Sequence, residues 1–392
     1  MNRKYIAAGA MGATLLGFGQ AALATNGDQM LGVTATQWGM AGATVAAPQD
    51  AATTMYNPAG LATLGIKDVR FDMGVGVLNP PRQANDRDSD SDYYLMPAGA
   101  VAFNVNDKLF LGMAMGGISG SGVDFADANA LAANGQAVVT TKQSYKIAPG
   151  FAYKVSDQLS LGAALQIGYQ SLAMYNGMNP ASVFSLPQNQ VYGAGINAGL
   201  IYKVNDAVQV GASWTSKTSM DEFKWNTNEG ALSMTMDMPQ IFALGVAFKP
   251  MPGLLIEADV KRIGFSDVLD SVAVKRPAGY TGNVPASFNF GWSDQTVYAI
   301  GVQKDIDDKT TVRAGFNYGK SPIGAEDVSA NIGSLAITEK HLSFGATRKF
   351  SDKVSASLSY AHAFKNEITS NTSTNKIELE QNIVNVQLSY KF

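Results

Sequence analysis

Residues 68–78 read DVRFDMGVGVL. Val69, Phe71, Met73, Val75 and Val77 are apolar, and Asp68, Arg70, Asp72, Gly74 and Gly76 between them are polar or small. A period of two residues puts one greasy and one wet face on an extended strand. The pattern returns along the chain. Tyr145, Ile147, Phe151, Tyr153 and Val155 share one face, with Lys146 on the other. Val312, Ala314, Phe316 and Tyr318 oppose Thr311, Arg313 and Asn317. At the end of the chain Val384, Val386, Leu388, Tyr390 and Phe392 oppose Asn385, Gln387, Ser389 and Lys391.

About fourteen such strands are expected, near 68–78, 94–105, 109–117, 141–155, 159–172, 190–204, 208–216, 231–248, 254–264, 288–304, 309–319, 336–350, 354–366 and 376–392. Short polar turns (Asn106-Asp107-Lys108, Ser156-Asp157-Gln158, Asn205-Asp206-Ala207, Ser351-Asp352-Lys353) alternate with longer loops near 79–93, 118–140, 173–189, 217–230, 265–287, 320–335 and 367–375. An even strand number with short turns at one end and long loops at the other is the pattern of an outer-membrane barrel, periplasmic below and extracellular above. The fold class expected is therefore all-β: a transmembrane antiparallel β-barrel of about 14 strands. A soluble sandwich would bury the apolar face but would not account for the loop alternation. No stretch past the N-terminus is long and apolar enough for a helical span. The 40 glycines and the 15 Tyr and 18 Phe suit strands and tight turns. A net charge of −3 gives no footprint for nucleic acid. There is no cysteine, so an exported chain would be held without disulfides.

The N-terminus reads as a signal peptide, residues 1–24: Arg3 and Lys4, an apolar run from Tyr5 to Phe18, then Ala22-Leu23-Ala24 as the cleavage site. Residues 25–66 precede the barrel, 67–392, and do not alternate. Asp50 is placed to cap a short helix ending near Tyr56. Asn57 is placed to cap a second with Pro58 at its first position, where the missing N–H costs nothing. A barrel this wide leaves a lumen unless something fills it. The segment carries Met30, Leu31, Trp38, Met40, Met55, Leu61 and Leu64, too many apolar residues for a free periplasmic tail. A hatch inside the lumen is expected.

The runs GMAGATVA (39–46), DAA (50–52) and NPAGL (57–61) resemble the N-terminal hatch of the FadL family. These are outer-membrane transporters of long-chain fatty acids and aromatic hydrocarbons. Met238-Pro239-Gln240 leading to LGVAFKP (244–250), IEADV (256–260), YAIGV (298–302), RAGFNY (313–318) and Ser321-Pro322 are similar too. The resemblance covers nearly the whole mature chain. It implies a fourteen-stranded barrel, a monomer, residence in the outer membrane of a Gram-negative bacterium, and no enzymatic activity. It also implies transport of hydrophobic molecules by passive diffusion, with lateral exit through the wall at a kink in the third strand beside the hatch's Asn-Pro-Ala. Those positions are Asn57, Pro58 and Ala59, and Gly116-Gly117 is the kink candidate. Import of aromatic hydrocarbons, or a general porin for small polar solutes, is the alternative. The aromatic C-terminus, Phe392, resembles the signal read by the barrel assembly machinery. Outer-membrane lipid and lipopolysaccharide would surround the barrel.

Candidate ligand contacts are Met178, Phe184 and Leu186 in loop 173–189, and Phe223 and Trp225 in loop 217–230, because exposed apolar clusters mark docking surfaces. Lys146 and Arg313 are candidates for a ligand carboxylate; charges on the lumen face also form ion-pair networks with a hatch. The acidic run Asp86, Asp88, Asp90 and Asp92 reads as a solvated surface. With two histidines, His341 and His362, and no cysteine, no metal site, cofactor or catalytic residue is expected.

Overall fold

The alternating stretches form one closed sheet in the computed structural model, which describes residues 26–126 and 137–392. The expected signal peptide lies outside the described residues. The barrel strands are β1 (Val69–Asn79), β2 (Tyr94–Asn104), β3 (Leu109–Phe125), β4 (Val138–Lys154), β5 (Leu159–Asn176), β6 (Phe184–Lys203) and β7 (Val208–Thr215). They continue as β8 (Ile241–Met251), β9 (Leu254–Ile263), β10 (Gln295–Asp305), β11 (Thr310–Gly319), β12 (Lys340–Lys349), β13 (Val354–Thr369) and β14 (Lys376–Lys391). Each pairs antiparallel with the next, and β1 pairs with β14 from Arg70↔Lys391 to Asn79↔Asn382, which closes the cylinder and removes its edges.

Burial is inverted relative to a water-soluble protein. On β14 Val384, Val386 and Leu388 are 44–56% exposed, while Asn385, Gln387 and Ser389 are buried. On β8 Phe242, Leu244, Val246 and Phe248 point out and Ala243 and Ala247 point in. Each outward side chain would cost about 1.5–3 kcal/mol in water; repeated around the wall, that excludes a sandwich and requires hydrocarbon outside. Tyr192 and Tyr202 on the outer face of β6 stand ten residues apart along one strand. At the usual rise and tilt that spans about 25 Å, the height of an outer-membrane apolar band.

Several stretches depart from expectation, among them the 118–140 loop, into which β3 runs as far as Phe125 and from which β4 starts at Val138. Residues 231–248 are not one strand: Gly230–Met234 joins Phe223–Thr227, Ser271–Lys275 and Ser287–Asn289 in a separate four-stranded sheet, and β8 starts at Ile241. The stretch 288–304 divides in the same way, with β10 starting at Gln295. The 173–189 loop is mostly strand, because β5 and β6 run on to Asn176 and Phe184. Period-two patterning identifies a strand but not the sheet that receives it.

The hatch fills the lumen. It contains α1 (Ala35–Gly39), capped by Thr34, and two 3-10 turns, Ala51–Met55 and Pro58–Thr63. Asp50 accepts a hydrogen bond from the Ala52 amide, and Asn57 from the Ala59 amide, with Pro58 at the first position as the sequence suggests. The hatch backbone lies directly on inward-facing glycines of the wall. A Cβ on Gly162 would come within 2.3 Å of the Ala59 amide nitrogen, and one on Gly211 within 2.4 Å of the Val45 carbonyl. Those glycines allow plug and wall to touch.

Candidate functional site

The wall is incomplete between β2 and β3. β2 pairs with β1 from Tyr94 to Phe103, but with β3 only from Ala98↔Gly116 to Asn104↔Phe110. Pro97, next along β2, has no N–H to offer. On β3 the register with β4 shifts between Gly117↔Tyr145 and Ser119↔Ser144, so Ile118 is an extra residue that bends the strand. Above the gap the first outer loop returns to β3: the Asp90 amide donates to the Asp124 carbonyl, and the Asp124 amide to Ser89 Oγ. The result is a window, closed below by the Ala98–Gly116 pair and above by Asp90–Asp124.

Hatch residues seal the window from inside. The Met30 amide donates to the Ile118 carbonyl at 3.0 Å, and the Gly120 amide to the Asp28 carbonyl at 3.1 Å. Gln29 and Ser119 form the bridge between them. The hatch thus supplies the partner that β2 withholds, so β3's edge carries no unsatisfied row in the membrane. The Asp28 carboxylate adds side-chain anchors: Lys142 Nζ donates to it at 2.5 Å and Ser119 Oγ at 2.7 Å.

Two cavities adjoin this seal. The outer one, about 270 Å³, has an apolar lining that includes Met174, Met178, Phe184, Phe288, Phe290 and Trp292, and Asp28 and Lys142 among its polar residues. Phe288 stacks on Phe290 and tilts against Phe184. The inner one, about 60 Å³, is lined by Met30, Ile118, Tyr56, Lys146 and Lys261, among others. Among the described residues the Tyr56 hydroxyl has no hydrogen-bond partner.

Most lumen charges are committed to the hatch. Asp259 accepts from the Thr44 and Val45 amides at 2.8 and 3.1 Å, and Glu257 from the Ala46 and Ala47 amides at 2.6 and 3.0 Å. Lys261 donates to the Gly42 carbonyl. Asp72 accepts from Arg70 and from the Ala51 amide. Arg313 lies under α1 near Gly39 and donates to Thr347. Lys146 differs: it is buried, it lines the inner cavity, and among the described residues its ammonium has no hydrogen-bond or ion-pair partner.

The structure brings together Met178, Phe184, Gly116, Gly117 and Lys146 around the window and its two cavities. It does not bring Leu186, Phe223 or Trp225 there. Leu186 and Phe223 are almost completely buried, and Trp225 is buried with its indole N–H bonded to the Pro187 carbonyl. Nor does it place Asn57-Pro58-Ala59 at the glycine pair. Those residues sit against Gly162 of β5 and Gly199 of β6, with Asn57 donating to the Val45 and Leu200 carbonyls. Earlier hatch residues take the kink instead: a Cβ on Gly116 would lie 3.2 Å from Val33. Sequence reasoning missed Asp28, which carries no motif, and Lys142 as its partner. His341 is buried in β12, and among the described residues neither its ring nitrogens nor Ser343 Oγ has a hydrogen-bond partner, so the two do not pair with each other.

A closed fourteen-stranded barrel with an apolar outer belt and an internal N-terminal hatch defines the chain as a plugged outer-membrane β-barrel of the Gram-negative type. Its sequence matches the family model described as outer membrane protein transport protein (OMPP1/FadL/TodX) over residues 18–391, and the chain belongs to that family. It is 27% identical to outer membrane protein P1 of Haemophilus influenzae over 56% of this chain and 52% of that protein. A 47 kDa outer membrane protein of Pasteurella multocida is 24% identical over 59% and 58%. The chain spans about half the length of the curated relatives it matches. Among solved structures, the Pseudomonas putida toluene transporter TodX superposes with a TM-score of 0.74 at 20% identity, covering 93% of this chain and 99% of that one. A Pseudomonas aeruginosa FadL homologue gives 0.75 at 15% identity over 93% and 100%.

Proposed function

We propose that the chain carries hydrophobic molecules, long-chain fatty acids foremost, across the outer membrane by passive diffusion and releases them sideways through the β2–β3 window. The observation that carries this reading is the stretch of β3 above Gly116, which β2 leaves unpaired and hatch residues 28–30 cover from inside. A ligand would enter the apolar outer cavity, pass to the inner one and leave where residues 28–30 give way. The lateral route has a physical advantage. Re-exposing an acyl chain to water costs about 0.8 kcal/mol per methylene, on the order of 10 kcal/mol for a dozen or more. Exit into hydrocarbon avoids that barrier, while the hatch blocks the axial path for water and ions.

An acid is favoured over a neutral hydrocarbon by Lys146, an unpartnered buried cation that a carboxylate would satisfy. The Phe184–Phe288–Phe290 group in the outer cavity supports the second reading, import of monoaromatic hydrocarbons. The test is uptake of labelled oleate and labelled toluene by cells lacking their own transporter and supplied with this chain. Oleate import is expected. Toluene import alone would transfer the assignment to the second reading. Import of neither, with steady ion conductance in a planar bilayer, would replace both by a porin.

A further inference from the structure

The polar floor of the outer cavity is an ion pair, and one partner belongs to the seal. Lys142 is inward on β4 and pairs across the sheet with Ser121, just above the bulge. Lys146 is inward on the same strand and pairs with Gly116, just below it. Four residues of strand separate them, about 13 Å. The two cations therefore bracket the window, one at each cavity. The lower has no partner among the described residues; the upper holds the Asp28 carboxylate at 2.5 Å. Asp28 is also the residue whose carbonyl receives the Gly120 amide, flanked by the Gln29–Ser119 bridge and the Met30–Ile118 bond. Side chain and main chain of one residue thus tie the cation of the outer cavity to the seal of the window.

We propose that Asp28 is a built-in stand-in for the head group of an acidic long-chain ligand. It neutralises Lys142 until a ligand carboxylate takes its place, and the exchange frees residues 28–30 from β3 and opens the window. This deepens the transport reading above and rests on it. The exchange replaces one carboxylate–ammonium pair by another, so Lys142 is never left buried and unpaired, the state that would cost most. The displaced Asp28 turns into the outer cavity, which has room for water. A neutral molecule of the same length has nothing to offer Lys142 and leaves the latch closed. With Lys146 empty below, the head group has a second station on the same strand face, while the tail lies against the apolar window.

The test uses the purified full-length chain in detergent micelles, with oleate and oleyl alcohol as matched probes. Hydrogen exchange at the Met30 and Gly120 amides is read together with equilibrium binding. Oleate is expected to accelerate exchange at both amides and oleyl alcohol to leave them protected. Asp28→Asn is expected to exchange fast without ligand and to bind oleate about tenfold tighter, since no carboxylate competes for Lys142. Lys142→Met is expected to abolish the difference between the probes in amide exchange and to narrow, through the Lys146 that remains, their difference in binding; Lys142→Arg, which keeps the charge, is expected to retain both. Equal effects of both probes on the unmodified chain would overturn the proposal, as would an oleate-to-alcohol ratio unchanged in both Asp28→Asn and Lys142→Met. Oleate uptake by cells with either of those results removes the latch alone; absence of oleate uptake removes the transport reading beneath it.

Discussion

At the scale of the residue, the lumen separates charges that hold the plug from a charge that waits. Glu257 and Asp259 each accept two hatch amides, and a typical hydrogen bond contributes about 0.5–1.5 kcal/mol net, while an amide left buried without its acceptor costs about 1–3 kcal/mol. Glu257→Ala, which removes the acceptor, is therefore expected to loosen the 44–47 segment and raise ion conductance in a planar bilayer, with the barrel still folded. Conductance equal to that of the unmodified chain would show that the hatch does not depend on this carboxylate. Lys146 has no such duty. Lys146→Met is expected to leave hatch and barrel stability unchanged or slightly raised, because an unpaired buried cation is removed. Oleate affinity should fall about tenfold and toluene affinity should not; a parallel loss of both would assign Lys146 to packing. The inward register of Lys146 and Arg313 was legible from alternation, but their partners were not. Arg313 lies under α1 and Lys146 beside an empty space, and no spacing in the chain encodes that difference. Asp28 was invisible for the same reason: its importance comes from Lys142, Ser119 and Gly120, all about ninety or more residues away.

At the scale of the element, alternation was a sufficient guide wherever one face meets lipid. β1, β9, β11 and β14 lie close to where the pattern puts them. It failed where both faces of a strand are covered by protein, or where a strand leaves the barrel wall. The upper part of β3, Gly116 to Val123, is buried on both faces, so ISGSGV carries no period to read. The Gly230–Met234 strand alternates well but pairs with Phe223–Thr227 in the outer sheet. The bulge at Ile118 is the device that bends β3. Deleting Ile118 would make the β3–β4 register continuous from Gly117↔Tyr145 to Ser119↔Ser144. The expected result is a barrel that assembles normally and imports little or no oleate; undiminished uptake would show that the bulge is incidental. The hatch seats make a second prediction. Gly162→Val would drive a side chain into the Ala59 backbone. Partial expulsion of the hatch should follow, seen as new ion conductance in a planar bilayer.

At the scale of the whole molecule, a closed cylinder whose one unpaired stretch the hatch covers, greasy outside and polar inside, is stable only in a membrane, and its lumen would leak without the hatch. The fold follows from the strand number and the inversion of burial, both written into the sequence. The proposed route of a ligand depends on which segment of the hatch faces the window. The capping pattern located the hatch turns but could not assign residues 28–30 rather than 57–59 to that place. The most direct test of the account uses the absence of native cysteine. Gln29 and Ser119 are bridge partners at the seal, within the separation a disulfide needs. The double variant Gln29→Cys, Ser119→Cys should form a bond that locks hatch to strand. The measurement is oleate uptake by cells carrying this variant, with and without reductant. The account predicts uptake close to background when oxidised, restored on reduction to the level of the single variants. Full uptake through the oxidised, locked barrel would contradict lateral exit through this window.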